Sequence, residues 1–532
     1  MLILRDITYI HPDKDQLFTG INLTVNDHEK IALVGNNGSG KSTLLKIIAG
    51  ILQPSAGILS SSEMPYYVPQ LVGQYNDLTI AQALDIDTKL QALKGILAGD
   101  VTEENMTLLD DDWTIEERCA EAMSYWKLEG LDLQQKMASL SGGQKTKVLL
   151  AGLTIHQPEI VLLDEPSNHL DTEGRELLYH YIQTTNGSLV VVSHDRVLLN
   201  MLNNVAELST QGLTLYGGNY DFYAEQKAME ESALNENLRD REKALRKAKE
   251  TEREMMERQQ KLDARGKKKQ EKAGVPTIAM NTLRNNAEKS TAKAKDVHAE
   301  KIDSIAKEVG RLRNELPGAD KMKIALDNSS LHKGKVLVTA KDINFRYAER
   351  SLWRTPLSFV ITGDERMVIK GLNGSGKTTL IKILLGILQP TAGLIQRADI
   401  NALYVDQDYS LIDNKLSVYE QAQQYNLDHL EEHEVKSRLN RFLFTKEYWA
   451  KPCSTLSGGE KMRLMLCCLT IGNKAPDMII LDEPTNNLDI QNIKILTAAI
   501  NEYKGCVIVV SHDTRFVEEI GIEGVMELVI RN

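Results

Sequence analysis

The sequence predicts an α/β protein made of two tandem copies of one domain, joined by a long α-helical antiparallel coiled-coil linker. Three observations carry this. First, GNNGSGKSTLLKIIAGILQPSAG at Gly35 to Gly57 recurs as GLNGSGKTTLIKILLGILQPTAG at Gly371 to Gly393, the sign of an internal duplication. Second, each copy contains short apolar runs such as KIALVG, EIVLLDEP and SLVVVSHD, followed by glycine turns or helical patterns. That rhythm belongs to buried parallel strands joined by helices. Third, Asn219 to Arg265 contains neither Gly nor Pro and is dense in Glu, Lys, Arg, Ala and Gln.

The order of the later landmarks supports the duplication: YVPQ with YVDQ, LSGGQK with LSGGEK, LLDEPSNHLD with ILDEPTNNLD, and VVVSHD with VIVVSHD. The copies differ between Gln70 and Ser141, which are 71 positions apart where Gln407 and Ser457 are 50 apart. The first copy therefore carries an insertion, placed at about 84–119. In the linker, Leu234, Leu238, Leu245, Ala248, Met255 and Leu262 follow a 3-4 spacing, and Ile302, Ile305, Val309, Leu312 and Leu316 resume it. A helix of ~45 residues would reach about 65 to 70 Å at 1.5 Å per residue. The expected divisions are 1–219, 220–335 with a basic tip at about 265–286, and 336–532.

Composition sets the outer limits. The 532 residues allow three or four domains at roughly 150 each, and 42% hydrophobic with 26% charged residues is ordinary globular usage. No run reaches the ~18 apolar residues of a membrane helix, and MLILRDITYIHPDKD lacks the pattern of a secretory leader. These features predict a cytoplasmic chain without membrane segments. Cys119, Cys453, Cys467, Cys468 and Cys506 have neither metal-site spacing nor the density of a disulfide framework, so they read as reduced thiols. The net charge of −11 argues against nonspecific adhesion to nucleic acid by the whole molecule, but not against a local basic element.

Gly35, Asn36, Asn37, Gly38, Ser39, Gly40, Lys41 and Ser42, followed by Thr43, match G-x-x-x-x-G-K-[ST]. So do Gly371, Leu372, Asn373, Gly374, Ser375, Gly376, Lys377 and Thr378, followed by Thr379. Glycines in this pattern let backbone N–H groups wrap phosphate oxygens at a helix N-terminus. Lys41 and Lys377 then reach the β- and γ-phosphates of ATP, and Ser42 and Thr378 offer hydroxyls to Mg²⁺. One such match can be a structural glycine turn, but two at equivalent places are not. Asp164 and Asp482 end the apolar runs Ile160 to Leu163 and Met478 to Leu481, where an acid holds Mg²⁺ through water. The adjoining Glu165 and Glu483 are placed to polarise the water that attacks the γ-phosphate.

These strings resemble the ABC ATPase family, with every diagnostic motif present twice. The resemblance implies that Ser141, Gly142 and Gly143, and likewise Ser457, Gly458 and Gly459, press against the γ-phosphate held by the opposite cassette. Hydroxyl and N–H groups opening a helix suit an anion there. It further implies that Gln70 and Gln407 sit near Mg²⁺ and the attacking water, that Asp171 and Asp489 belong to D-loops, and that His194 and His512 are switch histidines touching the γ-phosphate. Each of these histidines falls 30 positions after its Asp. Adenine in this family stacks on an aromatic ring upstream of the P-loop; Tyr347 fits in the second copy, and His11 or Tyr9 in the first. ATP is then expected to draw the cassettes face to face at two active sites.

Two cassettes on one chain, a charged helical linker and a first-cassette insertion resemble the ABC-F type. That resemblance implies binding to the ribosome at the tRNA exit site, with the linker pointing toward the peptidyl-transferase centre, large-subunit rRNA and P-site tRNA. The roles it suggests are relief of stalled complexes or protection from drugs. Between Arg258 and Lys295 there are 11 Lys plus Arg against 3 Asp plus Glu, which suits phosphate. Gly99 to Glu121 has nine acidic residues and one basic one, which suits a basic ribosomal protein better than RNA. The chain is expected to act as a monomer with intramolecular cassette pairing. Two other readings are an ATPase subunit for separate membrane-spanning chains and a DNA-repair-linked ATPase. The basic linker argues against the first, and the end at Asn532 just after the second cassette argues against the second. An iron–sulfur recycling ATPase is disfavoured by the lack of an N-terminal cysteine cluster.

Overall fold

Two similar α/β cassettes are visible in the computed structural model. It describes all residues except 12–15, 210–211, 271–297, 314–331, 333, 348–349, 473–474, 487 and 531–532. In the first cassette the central sheet runs Tyr66–Val68, Ile160–Asp164, Ser188–Val192, Lys30–Val34, Asn204–Ser209, Gly212–Gly217. All neighbours are parallel except the last pair. Ile160–Asp164 and Ser188–Val192 are buried at every position, as strands covered on both faces must be. The second cassette repeats the order as Ala402–Val405, Met478–Asp482, Cys506–Val510, Arg366–Lys370, Gly524–Glu527, all parallel.

An antiparallel three-stranded sheet accompanies each: Gln16–Val25, Leu2–Ile10, Ala56–Ser61 in the first, and Leu357–Thr362, Val336–Asn344, Ala392–Arg397 in the second. The helices Lys41–Ile48 and Lys377–Leu384 bury Leu44, Leu45, Ile47 and Ile48, or Leu380, Ile381, Ile383 and Leu384, in the core shared by both sheets. This fixes the start of each helix, and so the loop preceding it, against the ends of the parallel strands. Crevices at the carboxyl ends of such strands are where ligands bind in open α/β sheets.

Extra helices lie in the first cassette at Asp87–Leu97 and Glu103–Leu109, packed on each other. The next helix, Ile115–Tyr125, matches Glu432–Arg441 of the second cassette: Arg118 Nη1 donates to the Ile155 carbonyl, and Arg438 donates likewise to Thr470. The stretch expected as an insertion thus forms a helical pair, with Leu97 at the end of its first helix 71% exposed and Val101 in the connection 60% exposed. All five cysteines are buried and unpaired. Burial pushes the Cys119 and Cys453 thiols up to about 11 and Cys506 up to about 12. No helix among the described residues is long and apolar enough to cross a membrane.

By packing, the chain divides into Met1–Asp221 with Lys321–Asn532 as one unit and Phe222–Asp320 as another. Helix Tyr220–Gln270 supplies most of the second unit; its 51 residues span about 75 Å at 1.5 Å each. Leu234, Leu238, Leu245 and Ala248 are half-buried on one stripe, and Val309 and Leu312 of helix 298–313 are buried. Arg313 Nε donates to Glu242 Oε1 at 3.1 Å, and Arg241 pairs with Glu308 at 3.4 Å. The expected stripe does not continue to Met255 and Leu262, which are exposed; Leu316 and the Gly-Val-Pro break of the expected tip fall outside the described residues.

Candidate active sites

Each P-loop is shaped by glycines that no other residue can replace without movement. A Cβ at Gly35 would lie 2.4 Å from the Leu208 carbonyl oxygen, and one at Gly371 would meet Ser375 Oγ at 2.4 Å. Gly40 and Gly376 enter the helices at φ 96° and 89°, in the left-handed region. Ser39 Oγ and Ser375 Oγ are buried, and among the described residues neither has a hydrogen-bond partner. Lys41 Nζ donates to the carbonyls of Gly35 at 2.7 Å and Asn36 at 3.1 Å; Lys377 Nζ does so to Gly371 at 2.7 Å and Leu372 at 3.3 Å. Burial lowers both ammonium groups, against the pull of nearby carboxylates. A buried cation over a glycine cradle with orphaned hydroxyls is a fit for an anionic phosphate.

Strand pairing sets the acids beside this cradle. Asp164 pairs in register with Val192, and Asp482 with Val510. Ser42 Oγ donates to Asp164 Oδ1 at 3.1 Å, and Thr378 Oγ1 to Asp482 Oδ2 at 3.5 Å. Burial raises both aspartates. Among the described residues no group of three or more His, Cys, Asp or Glu could hold a metal alone. One carboxylate with one hydroxyl in each site instead suits Mg²⁺, which Ser42 with Asp164 and Thr378 with Asp482 would hold beside a nucleotide's phosphates.

Glu165 and Glu483 have φ of 51° and 50°, although neither is glycine. Their backbone N–H groups donate at 2.8 Å to Val192 and Val510, so the neighbouring strand imposes the bend. Left-handed backbone at a non-glycine costs of order 1 kcal/mol and persists where the surroundings over-determine it. Burial raises Glu165 to about 8 and Glu483 to about 7. His194 Nε2 is 3.2 Å from Glu165 Oε1, and His512 Nε2 is 3.4 Å from Glu483 Oε1. Burial pushes both imidazoles down to about 3, so these are contacts of neutral rings rather than ion pairs.

A cavity of about 390 Å³ in the first cassette is lined by His11, Leu17, Asn37, Gly38, Gly40, Lys41, Ser42, Thr43, Gln70, Asp164, Glu165, Val192 and His194. One of about 550 Å³ in the second is lined by Tyr347, Leu352, residues Asn373 to Thr379, Tyr404, Asp406, Gln407, Asp408, Asp482 and Glu483. His11 lines the first cavity, whereas Tyr9 packs on the core beside Phe18. His512 is not among the residues lining the second.

Ser141 and Ser457 line neither cavity. Each caps its helix, Gly142–His156 or Gly458–Ile471, in a capping box with Gln144 or Glu460. Across the cassettes, the Asn37 N–H donates to Asp489 Oδ2 at 3.0 Å, and Asn373 Nδ2 donates to the His169 carbonyl at 3.1 Å. Against burial, Asp171 is held low first by the Gly174 N–H, then by Lys147 and by an Asn373 backbone bond from the other cassette. A Cβ on Gly143 would lie 2.7 Å from the His169 carbonyl oxygen of its own cassette and 3.0 Å from Asn373 Nδ2 of the other, whereas Gly459 backs onto Asn492 of its own cassette; Gly142 and Gly458 open their helices.

Sequence reasoning missed Tyr67 and Tyr404, whose hydroxyls donate to Asp164 Oδ2 at 3.2 Å and Asp482 Oδ2 at 3.0 Å. Both phenols are pushed up, by burial first and then by the aspartate. The repeated Tyr in YVPQ and YVDQ, three positions before each Gln, was the available signal. Leu17 and Leu352, pressed toward Gly40 and Gly376, were also missed.

Duplicated parallel sheets, paired P-loops and acids at adjacent strand ends define a tandem-cassette ATPase. The model of the family described as "ABC transporter" matches residues 18–168 and 355–486. The energy-dependent translational throttle protein EttA of Mycobacterium tuberculosis (strain CDC 1551 / Oshkosh) is 30% identical over 97% of this chain and 89% of its own length. ABC transporter F family member 5 of Arabidopsis thaliana is 29% identical over 92% of this chain and 70% of its own. The archaeal ribosome recycling factor aABCE1, solved in complex with the ribosomal stalk protein aP1, shares the fold with TM-score 0.60 at 20% identity, over 98% of this chain and 87% of that one. The chain belongs to the ABC ATPase family, as a member of its ABC-F type, and its cassettes are ATP-hydrolysing domains.

Proposed function

We propose that the chain is a ribosome-binding ATPase with two composite sites, in which ATP closes the cassettes on each other and hydrolysis lets them open. The observation that carries this is the contact of Asp489 with the opposite P-loop through the Asn37 N–H, with Asn373 and His169 meeting on the other side. Lys41 and Lys377 leave their loop carbonyls for the β- and γ-phosphates, and the P-loop amides from Gly35 to Ser42 and from Gly371 to Thr378 orient the triphosphate. His11 and Tyr347 stack on adenine. Ser42, Asp164 and Gln70, or Thr378, Asp482 and Gln407, would hold Mg²⁺, which would supply charge neutralisation on the phosphate oxygens. Glu165 and Glu483 orient and polarise the attacking water beside His194 and His512. Ser141 to Gly143 and Ser457 to Gly459 meet the γ-phosphate from the facing cassette. Loss of that phosphate removes the anion both halves share.

The translational role rests on likeness to a protein named as a translational throttle, together with charge. The basic stretch from Arg258 to Lys295, in the linker 220–335 between cassettes 1–219 and 336–532, suits rRNA and P-site tRNA near the tRNA exit site. The acidic insertion suits a basic ribosomal protein. Regulation or rescue of translation in the cytoplasm, including protection from drugs at the peptidyl-transferase centre, follows from such placement of a monomer.

The test replaces Glu165 and Glu483 together by Gln and sediments the ATP-loaded protein from a cell lysate. Co-migration with ribosomes, lost on omitting ATP, is the expected result. Recovery with membranes or on branched DNA, with translation unaffected, overturns the reading.

A further inference from the structure

The two cassettes do not treat each other's switch histidines alike. Asp164 and Asp482, Asp171 and Asp489, and His194 and His512 are all 318 positions apart, so Thr172 matches Ile490 and Arg175 matches Ile493. Thr172 Oγ1 of the first cassette lies 3.2 Å from Nδ1 of His512 in the second. Arg175 Nη1 donates to the His512 carbonyl at 3.5 Å and is held by Asp195 Oδ2 at 3.4 Å, which also accepts from Tyr179 Oη at 2.5 Å. Arg175 is 8% exposed, so this cation is built into the interface rather than laid on it. Ile490 and Ile493 have no polar atom beyond the backbone to return either contact. Accordingly, Nδ1 of His194 is buried with no hydrogen-bond partner among the described residues.

We infer that Thr172 and Arg175 are positioning residues acting in trans on His512, so that, among the described residues, only the site of Lys377, Glu483 and His512 has its switch histidine set by the facing cassette. This rests on the face-to-face reading above. The hydroxyl donates to Nδ1 of the neutral ring, which leaves the ring proton on Nε2, the nitrogen 3.4 Å from Glu483 Oε1. That nitrogen is then a donor toward a γ-phosphate oxygen. Arg175 holds the backbone of the same residue and prevents the ring from swinging away. At the other site no described residue of the facing cassette sets the tautomer of His194. Closure therefore prepares the second site for hydrolysis more completely than the first, and a symmetric sequence motif conceals two unequal sites.

The test uses Thr172→Val, which keeps the shape and removes the hydroxyl, in the full chain. In nitrogen-labelled histidine spectra, T172V shifts the ring nitrogens of His512 away from the Nε2–H tautomer and leaves His194 in place. Turnover is then read one site at a time, with E165Q leaving the second site active and E483Q the first. T172V lowers kcat about tenfold in the E165Q background with KM for ATP little changed, and lowers it far less in the E483Q background. Arg175→Lys, which keeps a cation, retains more second-site turnover than Arg175→Met. Equal losses in the two backgrounds, or an unmoved His512 spectrum, overturn the inference. Distances between labels on the two cassettes of the E165Q/E483Q protein, with ATP and Mg²⁺, separate the failures. No closure overturns the face-to-face reading itself, whereas closure with equal losses overturns the inference alone.

Discussion

Asp489 has two tasks that a single substitution can separate. Its Oδ1 accepts from Asn492 N–H at 2.8 Å and caps helix Ile490–Glu502; its Oδ2 accepts from Asn37 N–H of the other cassette at 3.0 Å. Serine is as good an N-cap as aspartate, so Asp489→Ser keeps the first contact and loses the second. A hydrogen bond to a carboxylate contributes roughly 1.5–3 kcal/mol, and one made across the interface counts toward the closed state. D489S in the E165Q/E483Q background should therefore raise the ATP concentration for half-closure by roughly 10- to 150-fold, read from inter-cassette label distance. Its melting temperature without nucleotide should stay near that of the parent. D489A, which also loses the cap, should melt lower by an amount that corresponds to about 1 kcal/mol. If D489S closes at the parent's ATP concentration, the cross-cassette contact does not couple binding to closure and the argument fails.

Other outcomes follow from the same geometry. Tyr404→Phe removes the nearer of two donors to Asp482, and losing a hydrogen bond that orients a metal-holding carboxylate costs about 10-fold or more in metal affinity; the Mg²⁺ concentration for half-maximal ATPase activity at the second site should rise accordingly, and an unchanged requirement would contradict the role. Buried Glu165 and Glu483 titrate near 8 and 7 when folded and near 4.5 when unfolded, so their stabilising protons are fully bound below about 4.5 and are lost as pH rises through 7 and 8. The melting temperature of the nucleotide-free chain should fall between pH 6.5 and 9, a range above the unfolded histidine value, and the E165Q/E483Q chain should fall less steeply. Parallel slopes would count against the assignment.

What the sequence made legible was whatever recurs locally. P-loop glycines, strand-end acids and the 30-residue step from Asp to His are short-range features repeated twice, and in the fold each P-loop lies beside its own strand-end acids. Tyr67 and Tyr404 were repeated too, but a tyrosine before a glutamine has no meaning until strand pairing brings its hydroxyl to an aspartate. The left-handed backbone at Glu165 and Glu483 comes from a bond to the neighbouring strand, which no local pattern encodes. Capping boxes at Ser141 and Ser457 are written in S-G-G-Q and S-G-G-E, where the spacing from Ser to Gln or Glu marks a helix start whether or not a phosphate faces it. The contacts of Thr172 and Arg175 depend on the other cassette altogether. Their only trace in the sequence is a departure from repetition, where polar residues in one copy face isoleucines in the other.

The concealment of all five thiols has a practical corollary. Attack on disulfides or maleimides requires an accessible thiolate, and here burial both shields the sulfur and disfavours its ionisation. A single cysteine introduced at an exposed position on either cassette would thus react while the native ones stay silent, giving site-selective spectroscopic handles on the unaltered wild-type interior.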